Sequence, residues 1–496
     1  MVAIVRTACL DGFAALPVDV QVDAGQGLPV FTIVGLTDRA VQEARERVRS
    51  AIRNSGLKFP EQRVTVNLAP AELRKEGSAF DLAIAVAIVQ AGGSRVGIDG
   101  AGFIGELGLD GTVRRTRGVL AMCVRLVDDG VAPIYVPREN FAEASASGGE
   151  IRAVDSLGQL IGHLAGSGGA LPAPRSEGGA QPPPPGVDLA DIQGQAVPKR
   201  ALEIAAAGGH HLLLTGPPGA GKSLLARALV SLLPDLDDAA AREVTTIHSV
   251  GGLLDHPGLV TRPPMRSPHH TVSIAGLVGG RHASVAGEVS LAHRGVLVLD
   301  ELPEFSRNCL EALREPLEEG VLRLSRARGT RLLPASFVLA ATANPCPCGR
   351  ATAEGQDPCA CAPDVVARYQ RRISGPLRDR IDLALEVRPV RIQGLPGQQE
   401  GEPSATVAAR VARARQVQAA RQASRLNAAL SPAQLGEVCL LEPAASRLLL
   451  RLTSQQQLTG RGSHGVFRLA RTIADLAGRQ RIAAADMLEA GELRGH

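Results

Sequence analysis

The spacing of apolar residues changes several times along the chain, and each change marks a predicted element. In "VDVQVDA" (18–24) and "RVTVNLA" (63–69) every second residue is apolar, the period of a strand with one buried face. "FTIVGL" and "PIYVP" read as two further short strands. From Asp38 to Arg53, apolar residues fall at Ala40, Val41, Ala44, Val48 and Ile52, which is the stripe of an amphipathic helix. "FDLAIAVAIVQAGG" is apolar for longer than an ordinary strand and reads as a buried helix stopped by Gly92 and Gly93. Residues 1–164 are therefore expected to form an α+β domain.

The pattern then lapses. Residues 165–186, "AGSGGALPAPRSEGGAQPPPPG", are rich in Gly and Pro and read as a linker unable to build a core. From 187 to 390, short apolar runs ("HLLLT", "GVLVLD", "SFVLAATAN") alternate with helical stretches, as in an α/β domain with a parallel sheet. A second break, "IQGLPGQQEGEPS", precedes an Ala/Leu/Arg-rich segment, 404–496, that reads as helical throughout.

Composition narrows the function classes. A chain of 496 residues has room for two to four domains. Aromatics are 2% with no Trp, which argues against gripping nucleic acid by rows of stacked bases. The net charge of +4 announces no nucleic-acid partner by itself, so any such surface must be local. "MVAIVRTACL" lacks a charged start followed by a long apolar core, and no apolar run approaches the roughly 18 residues that span a bilayer. The expectation is a cytoplasmic protein, where clustered cysteines read as metal ligands before disulfides. Only four lysines (Lys58, Lys75, Lys199 and Lys222) stand among 54 basic residues, so a lysine in a motif is informative.

Lys222 occupies such a motif. "HLLLTGPPGAGKSLLARAL" is a strand, then Gly216-Pro217-Pro218-Gly219-Ala220-Gly221-Lys222-Ser223, then a helix. Glycines at this spacing let backbone N–H groups wrap phosphates, while the lysine reaches the β/γ-phosphates and the serine ligates Mg²⁺. "GVLVLDELPEF" ends an apolar strand on Asp300-Glu301. Asp300 suits Mg²⁺ contact, and Glu301 suits polarising an attacking water. Asn344, closing "SFVLAATAN", offers an amide that could orient that water. Charge developing on a transferred phosphoryl calls for an arginine. The candidates are Arg380 in "PLRDRIDLALEV", favoured over Arg378, and Arg461 in "LTGRGSHGVFRLARTIADL".

Directly after Asn344 come four of the eight cysteines: Cys346, Cys348, Cys359 and Cys361. Two thiolate pairs separated by a polar loop are the ligand set of structural Zn²⁺. Loose thiols, a redox switch and an iron–sulfur cluster are the alternatives. His269 and His270 are further polar candidates, near a nucleotide or a subunit interface or as a structural pair.

Together, "RSPHHTVSIAGLVGG", "GEVSLAHRGVLVLDELPEF", "LREPLEEG", "ATANPCPCG" and "ARTIADLAG" resemble the YifB/ComM family of magnesium-chelatase-like AAA+ ATPases. The resemblance runs to about residue 490, with one departure at Ala286, where the family's Pro is expected. It implies an ATP- and Mg²⁺-dependent homo-hexameric ring, one member type being a DNA branch-migration helicase of natural transformation. It assigns Lys222 and Ser223 to Walker A, and Asp300 and Glu301 to Walker B. Asn344 becomes sensor 1, Arg380 the arginine finger, Arg461 the sensor-2 arginine, and the C-terminal helices a lid. Related ring motors aim a hairpin at their pore. Here "EGVLRLSRARGTRLLPASF" would carry Arg323, Arg326, Arg328 and Arg331 to the phosphates of single-stranded or branched DNA.

The first domain resembles the Lon-protease fold. Its nucleophile position holds Ala79, with Ser78 displaced by one, and "GELGLDGTVRRTRGVLAMC" supplies no lysine, so a Ser-Lys dyad is not expected. An ATP-dependent protease is the third reading. The second is a chelatase-type ATPase that remodels a protein partner.

Overall fold

The alternating runs form strands whose apolar side faces a helix layer. The computed structural model describes residues 2–35, 38–73, 75–168, 171, 187–254, 258–280, 286–326, 329–351, 359–389, 401–423, 425–455 and 460–494. Most of both Gly/Pro-rich breaks, Arg328 and residues 352–358 of the loop between the cysteine pairs lie outside them. The chain divides into two compact units, residues 1–181 with 237–261 and 281–286, and residues 182–236 with 262–280 and 287–496.

In the first unit, strands β1 (Val2–Asp11), β2 (Ala14–Gly25), β3 (Phe31–Val34), β4 (Arg63–Ala69), β5 (Gly102–Phe103), β8 (Ile134–Pro137) and β9 (Ile151–Val154) make one sheet, in the order β3-β4-β2-β1-β5-β8-β9. A separate two-stranded piece joins β6 (Glu106–Leu107) to β7 (Val113–Arg114). Strands β1, β2 and β4 pair antiparallel; β3 pairs β4, and β5 pairs β1 and β8, in parallel. Val18, Val20 and Val22 of β2 and Val64, Val66 and Leu68 of β4 are buried, as the period of two requires. Against them lies the helix Asp81–Ala91, whose residues from Asp81 to Val89 are all buried. Being apolar on every side, it has no solvent face to present. The helix Arg39–Asn54 starts where Asp38 accepts the N–H of Val41 at 2.9 Å, a side-chain cap for an otherwise unpaired donor.

The helix Asp238–Gly251 also belongs to this unit, although it follows the phosphate-loop helix in sequence. Ser249 accepts the N–H of Gly118 at 2.8 Å and donates to Glu143 at 3.1 Å. The Arg115 guanidinium donates to the carbonyl of Leu254 at 2.6 Å.

In the second unit, β10 (Leu212–Thr215), β11 (Met265–Arg266), β12 (Val296–Leu299), β15 (Val338–Ala343) and β16 (Leu383–Glu386) form a wholly parallel sheet, in the order β11-β12-β15-β10-β16. A parallel-sheet α/β domain of this kind is consistent with a P-loop ATPase. Strands β13 (Val321–Arg326) and β14 (Gly329–Pro334) form the hairpin read from sequence, closed by the pair Arg326–Gly329. The C-terminal segment is helical, including Ser404–Gln422, Pro443–Gln455, Gly460–Leu476 and Ala484–Leu493. Val407, Val411, Val466, Leu469, Ile473 and Met487 from these helices share one core with Leu212, Val298 and Ala340 of the sheet. A buried polar seam fixes their register. His210 contacts Asp382 and Thr472, each at 2.8 Å, and Asn427 donates to Thr472 at 3.0 Å and Asp475 at 2.8 Å. Burial by itself would raise the Asp382 carboxyl. The His210 hydrogen bond, with the charges of His210 and Arg494, holds it below the ordinary carboxylate value. Among the described residues no helix is long and apolar enough to cross a membrane.

Candidate functional site

Because β15 lies between β10 and β12, the loop after β10, the acids after β12 and the residue after β15 emerge at one sheet edge. In open parallel sheets this carboxyl edge is where ligands bind. The loop turns tightly there. Gly219 and Gly221 have φ of +79° and +88°, a region that disfavours any side chain. Gly216 lies against the β16 exit, where a Cβ would come within 2.2 Å of the Val387 carbonyl oxygen.

Lys222 turns back over this loop. Its ammonium donates to the carbonyls of Gly216 at 2.7 Å and Pro217 at 2.8 Å, and to the amide oxygen of Asn344 at 3.1 Å. Burial pushes the ammonium below the ordinary lysine value, against the opposing pull of Asp300 and Glu301. Ser223 donates to the Asp300 carboxylate, both of whose oxygens lie 2.9 Å away. A hydroxyl beside a carboxylate is an all-oxygen donor set that suits Mg²⁺. The structure thus brings together Lys222, Ser223, Asp300 and Asn344, four residues singled out from sequence. Glu301 follows directly in the left-handed region at φ +54°, a conformation that costs about 1–3 kcal/mol for a non-glycine residue.

Thr342 was not singled out. Its hydroxyl donates to Asp300 and accepts the backbone N–H of Glu301 at 3.0 Å. The available signal was a lone hydroxyl in the otherwise apolar strand "VLAATA". Gln195 was missed as well, although its amide ties the carbonyls of Ala220 (3.2 Å) and Arg388 (2.8 Å) across the base of the loop.

The two arginines gather elsewhere. Arg380 donates to one oxygen of Glu318 and to the Pro376 carbonyl at 2.6 Å, and Arg461 donates to the other Glu318 oxygen at 2.5 Å. Glu318 lies on the helix Arg314–Glu319, just before the hairpin. On the hairpin, Arg323 is exposed but paired with Glu315 at 2.9 Å and Glu319 at 2.5 Å. Arg331 lies opposite Leu324 and is half-buried, Arg326 is described by its backbone alone, and Arg328 lies outside the described residues. His269 and His270 lie 4.0 Å apart between ring centroids, tilted by 35°, with His270 edge-on to Phe305 and His269 on the Thr271 hydroxyl at 2.9 Å.

Cys346, Cys348, Cys359 and Cys361 place their sulfurs within 4.8 Å of one another, a grouping able to hold a metal ion. Cys346 is buried and Cys348 exposed.

Three family descriptions match along the chain. They are "Magnesium chelatase, subunit ChlI" over residues 188–395, "Subunit ChlI of Mg-chelatase" over 20–140 and "Magnesium chelatase, subunit ChlI C-terminal" over 401–494. The protein YifB of Escherichia coli K12 is 41% identical over 485 residues, 96% of this chain and 93% of its own. The chain belongs to the YifB/ComM family of magnesium-chelatase-like proteins. The Competence protein ComM of Haemophilus influenzae is 38% identical over 506 residues, covering 98% of this chain and 96% of ComM. Protein Rv2897c of Mycobacterium tuberculosis H37Rv is 44% identical over 471 residues, 93% of this chain and 92% of its own.

Proposed function

We propose that this protein is an ATP-hydrolysing ring motor that acts on DNA, a branch-migration helicase of recombination or transformation. The meeting of Lys222, Ser223, Asp300 and Asn344 at the edge of a parallel sheet carries the ATPase part of this reading. Kinship with a protein named for competence supports the DNA part.

Lys222 would leave the Gly216 and Pro217 carbonyls for the β/γ-phosphates, and the loop amides between Pro218 and Ser223 would cradle them. Ser223 and Asp300 would hold Mg²⁺, which screens phosphate charge when bound. Glu301 takes the position of the residue that polarises water, and Asn344 can orient that water while in contact with Lys222. Arg380 and Arg461 would serve a neighbouring subunit of a homo-hexamer as arginine finger and sensor 2. In this reading the first domain is Lon-protease-like and the C-terminal helices are a lid. The hairpin arginines Arg323, Arg326, Arg328 and Arg331 would then meet single-stranded or branched DNA, and the four cysteines would hold a structural zinc.

A chelatase-type motor that remodels a protein partner is the second reading, favoured by the names of the matching families. Proteolysis loses support because the Ser78 hydroxyl is spent on the Glu106 carboxylate rather than on a lysine. The deciding experiment measures ATP hydrolysis by the full chain with and without forked DNA. Stimulation that Lys222→Ala abolishes is expected. Failure of the assembled ring to bind DNA at low salt would favour the protein-remodelling reading.

A further inference from the structure

The cysteine cluster sits against the phosphate loop. The chain reaches it directly from the end of β15, where Asn344 holds Lys222 at 3.1 Å and the Ala343 carbonyl accepts the N–H of Gly216 at 3.2 Å. The Pro345 carbonyl between Asn344 and Cys346 accepts from Gln370 at 3.1 Å. Cys346 then opens a turn closed by the Gly349 N–H on the Cys346 carbonyl at 2.9 Å. Gly349 has φ +78°, and a Cβ there would lie 2.5 Å from Cδ and 2.7 Å from Cγ of Pro218 in the phosphate loop. The turn that carries two of the thiols therefore packs on the loop without room for a methyl group.

Packing secures only part of the turn, where Cys346 and Gly349 are buried. Pro347, Cys348, Arg350 and Ala351 are all exposed, and Ala360 is too. The sulfurs, however, have a definite arrangement. Cys346 and Cys348 lie 3.3 Å apart, and Cys359 lies 3.6 Å from each. These separations are too long for a disulfide bond of about 2.05 Å. They approach the sulfur–sulfur edge of about 3.8 Å that a tetrahedron with Zn–S of about 2.3 Å requires.

We propose that occupancy of this tetrathiolate site sets the phosphate loop, so that the protein binds nucleotide well only when the site holds zinc. The inference rests on the zinc reading given above and adds its consequence for the ATP site. Metal closing the two cysteine pairs fixes the turn from Cys346 to Gly349. That turn holds Pro218 from outside, while the strand end before it holds Lys222 and Gly216 from within. Without metal the turn keeps its backbone hydrogen bond and the burial of Cys346 and Gly349, but its hold on Pro218 loosens.

The test uses the full-length protein. Metal is quantified by mass spectrometry in protein as purified, after stripping with an organomercurial and chelator, and after reloading with Zn²⁺. In each state, with Mg²⁺ restored and the fold checked by circular dichroism, binding of a fluorescent ATP analogue is titrated. About one zinc per chain is expected, with affinity falling about tenfold on stripping and returning on reloading. Gly349→Ala supplies an independent arm should the stripped chain unfold. Its methyl group is expected to weaken nucleotide binding to a similar degree while zinc content stays at the wild-type level. Equal affinity in the loaded and stripped states, or wild-type binding by Gly349→Ala, overturns the coupling and leaves the zinc reading standing. Less than about one zinc per four chains after reloading overturns the zinc reading itself, and this inference with it.

Discussion

Thr342 donates its hydroxyl to the Asp300 carboxylate from the neighbouring strand, and with its other face accepts the N–H of Glu301 at 3.0 Å. One side chain thereby sets the aim of Asp300 and helps secure the strained backbone of Glu301. Thr342→Val keeps the shape and removes both bonds, leaving a carboxylate short of one donor. A hydrogen bond to a charged group contributes about 1.5–3 kcal/mol. The expected result is a fall in kcat of about 10- to 100-fold with ATP binding nearly unchanged, read from steady-state hydrolysis alongside nucleotide titration.

Lys222 and Asn344 touch, yet they should fail differently when removed. Lys222→Ala deletes the only ammonium bonded to the loop carbonyls of Gly216 and Pro217 among the described contacts, and ATP affinity should fall by about 100-fold or more. Asn344→Ala leaves that ammonium in place. Binding should stay within a few-fold of wild type while hydrolysis falls about 100-fold, the scale of a lost water-positioning group. Single-turnover hydrolysis at saturating ATP separates the two, and equal losses of affinity would contradict the assignment of Asn344.

Much of this site was legible because its signals are local. A glycine-rich loop before Lys222, an acid pair after "GVLVL" and an amide after "VLAATA" each sit within one strand and its exit. What escaped is non-local. Glu318 meets Arg380 from 62 residues away and Arg461 from 143, and nothing in "LREPLEEG" favours that glutamate over its neighbours. The helix Asp238–Gly251 buries Val244 and Ile247, but their spacing reads alike whichever core receives them. Its place in the first unit comes from partners such as Gly118 and Glu143. Thr342 escaped for a third reason: a threonine within a strand is ordinary until its neighbour across the sheet is known.

The first unit should respond to pH through Asp81. Burial raises its carboxyl from 3.8 to about 6, although Arg47 at 2.8 Å and 3.2 Å and the Leu107 N–H at 3.3 Å pull the other way. Between these two values the folded chain holds a proton that the unfolded chain has released, so stability falls as pH rises from about 4 to about 6. The full difference is about 3 kcal/mol, present below pH 4 and lost above pH 6. Asp81→Asn should flatten this part of the profile. Urea denaturation at several pH values, wild type against variant, checks both the slope and its sign.

Arg380 and Arg461 converge on Glu318 in their own subunit, which gives the proposed action on a neighbour a sharp test. The pair made by Arg461 itself stabilises little. Glu318 is nearly half exposed and Arg461 more than half, so Arg461→Ala should cost no more than about 1 kcal/mol in stability. Hydrolysis is another matter. Arg380→Ala should retain ATP binding, since none of the described contacts of Arg380 reaches the phosphate loop, yet lose about 1,000-fold in turnover. Chains carrying Arg380→Ala have an intact Lys222, and chains carrying Lys222→Ala have an intact Arg380. Each variant alone should be inactive. Mixed rings should recover activity wherever an intact phosphate loop faces an intact arginine, in proportion to the fraction of such junctions. Activity that stays at the level of the separate variants at every mixing ratio, in rings shown to exchange subunits, would place the arginine's action within its own chain.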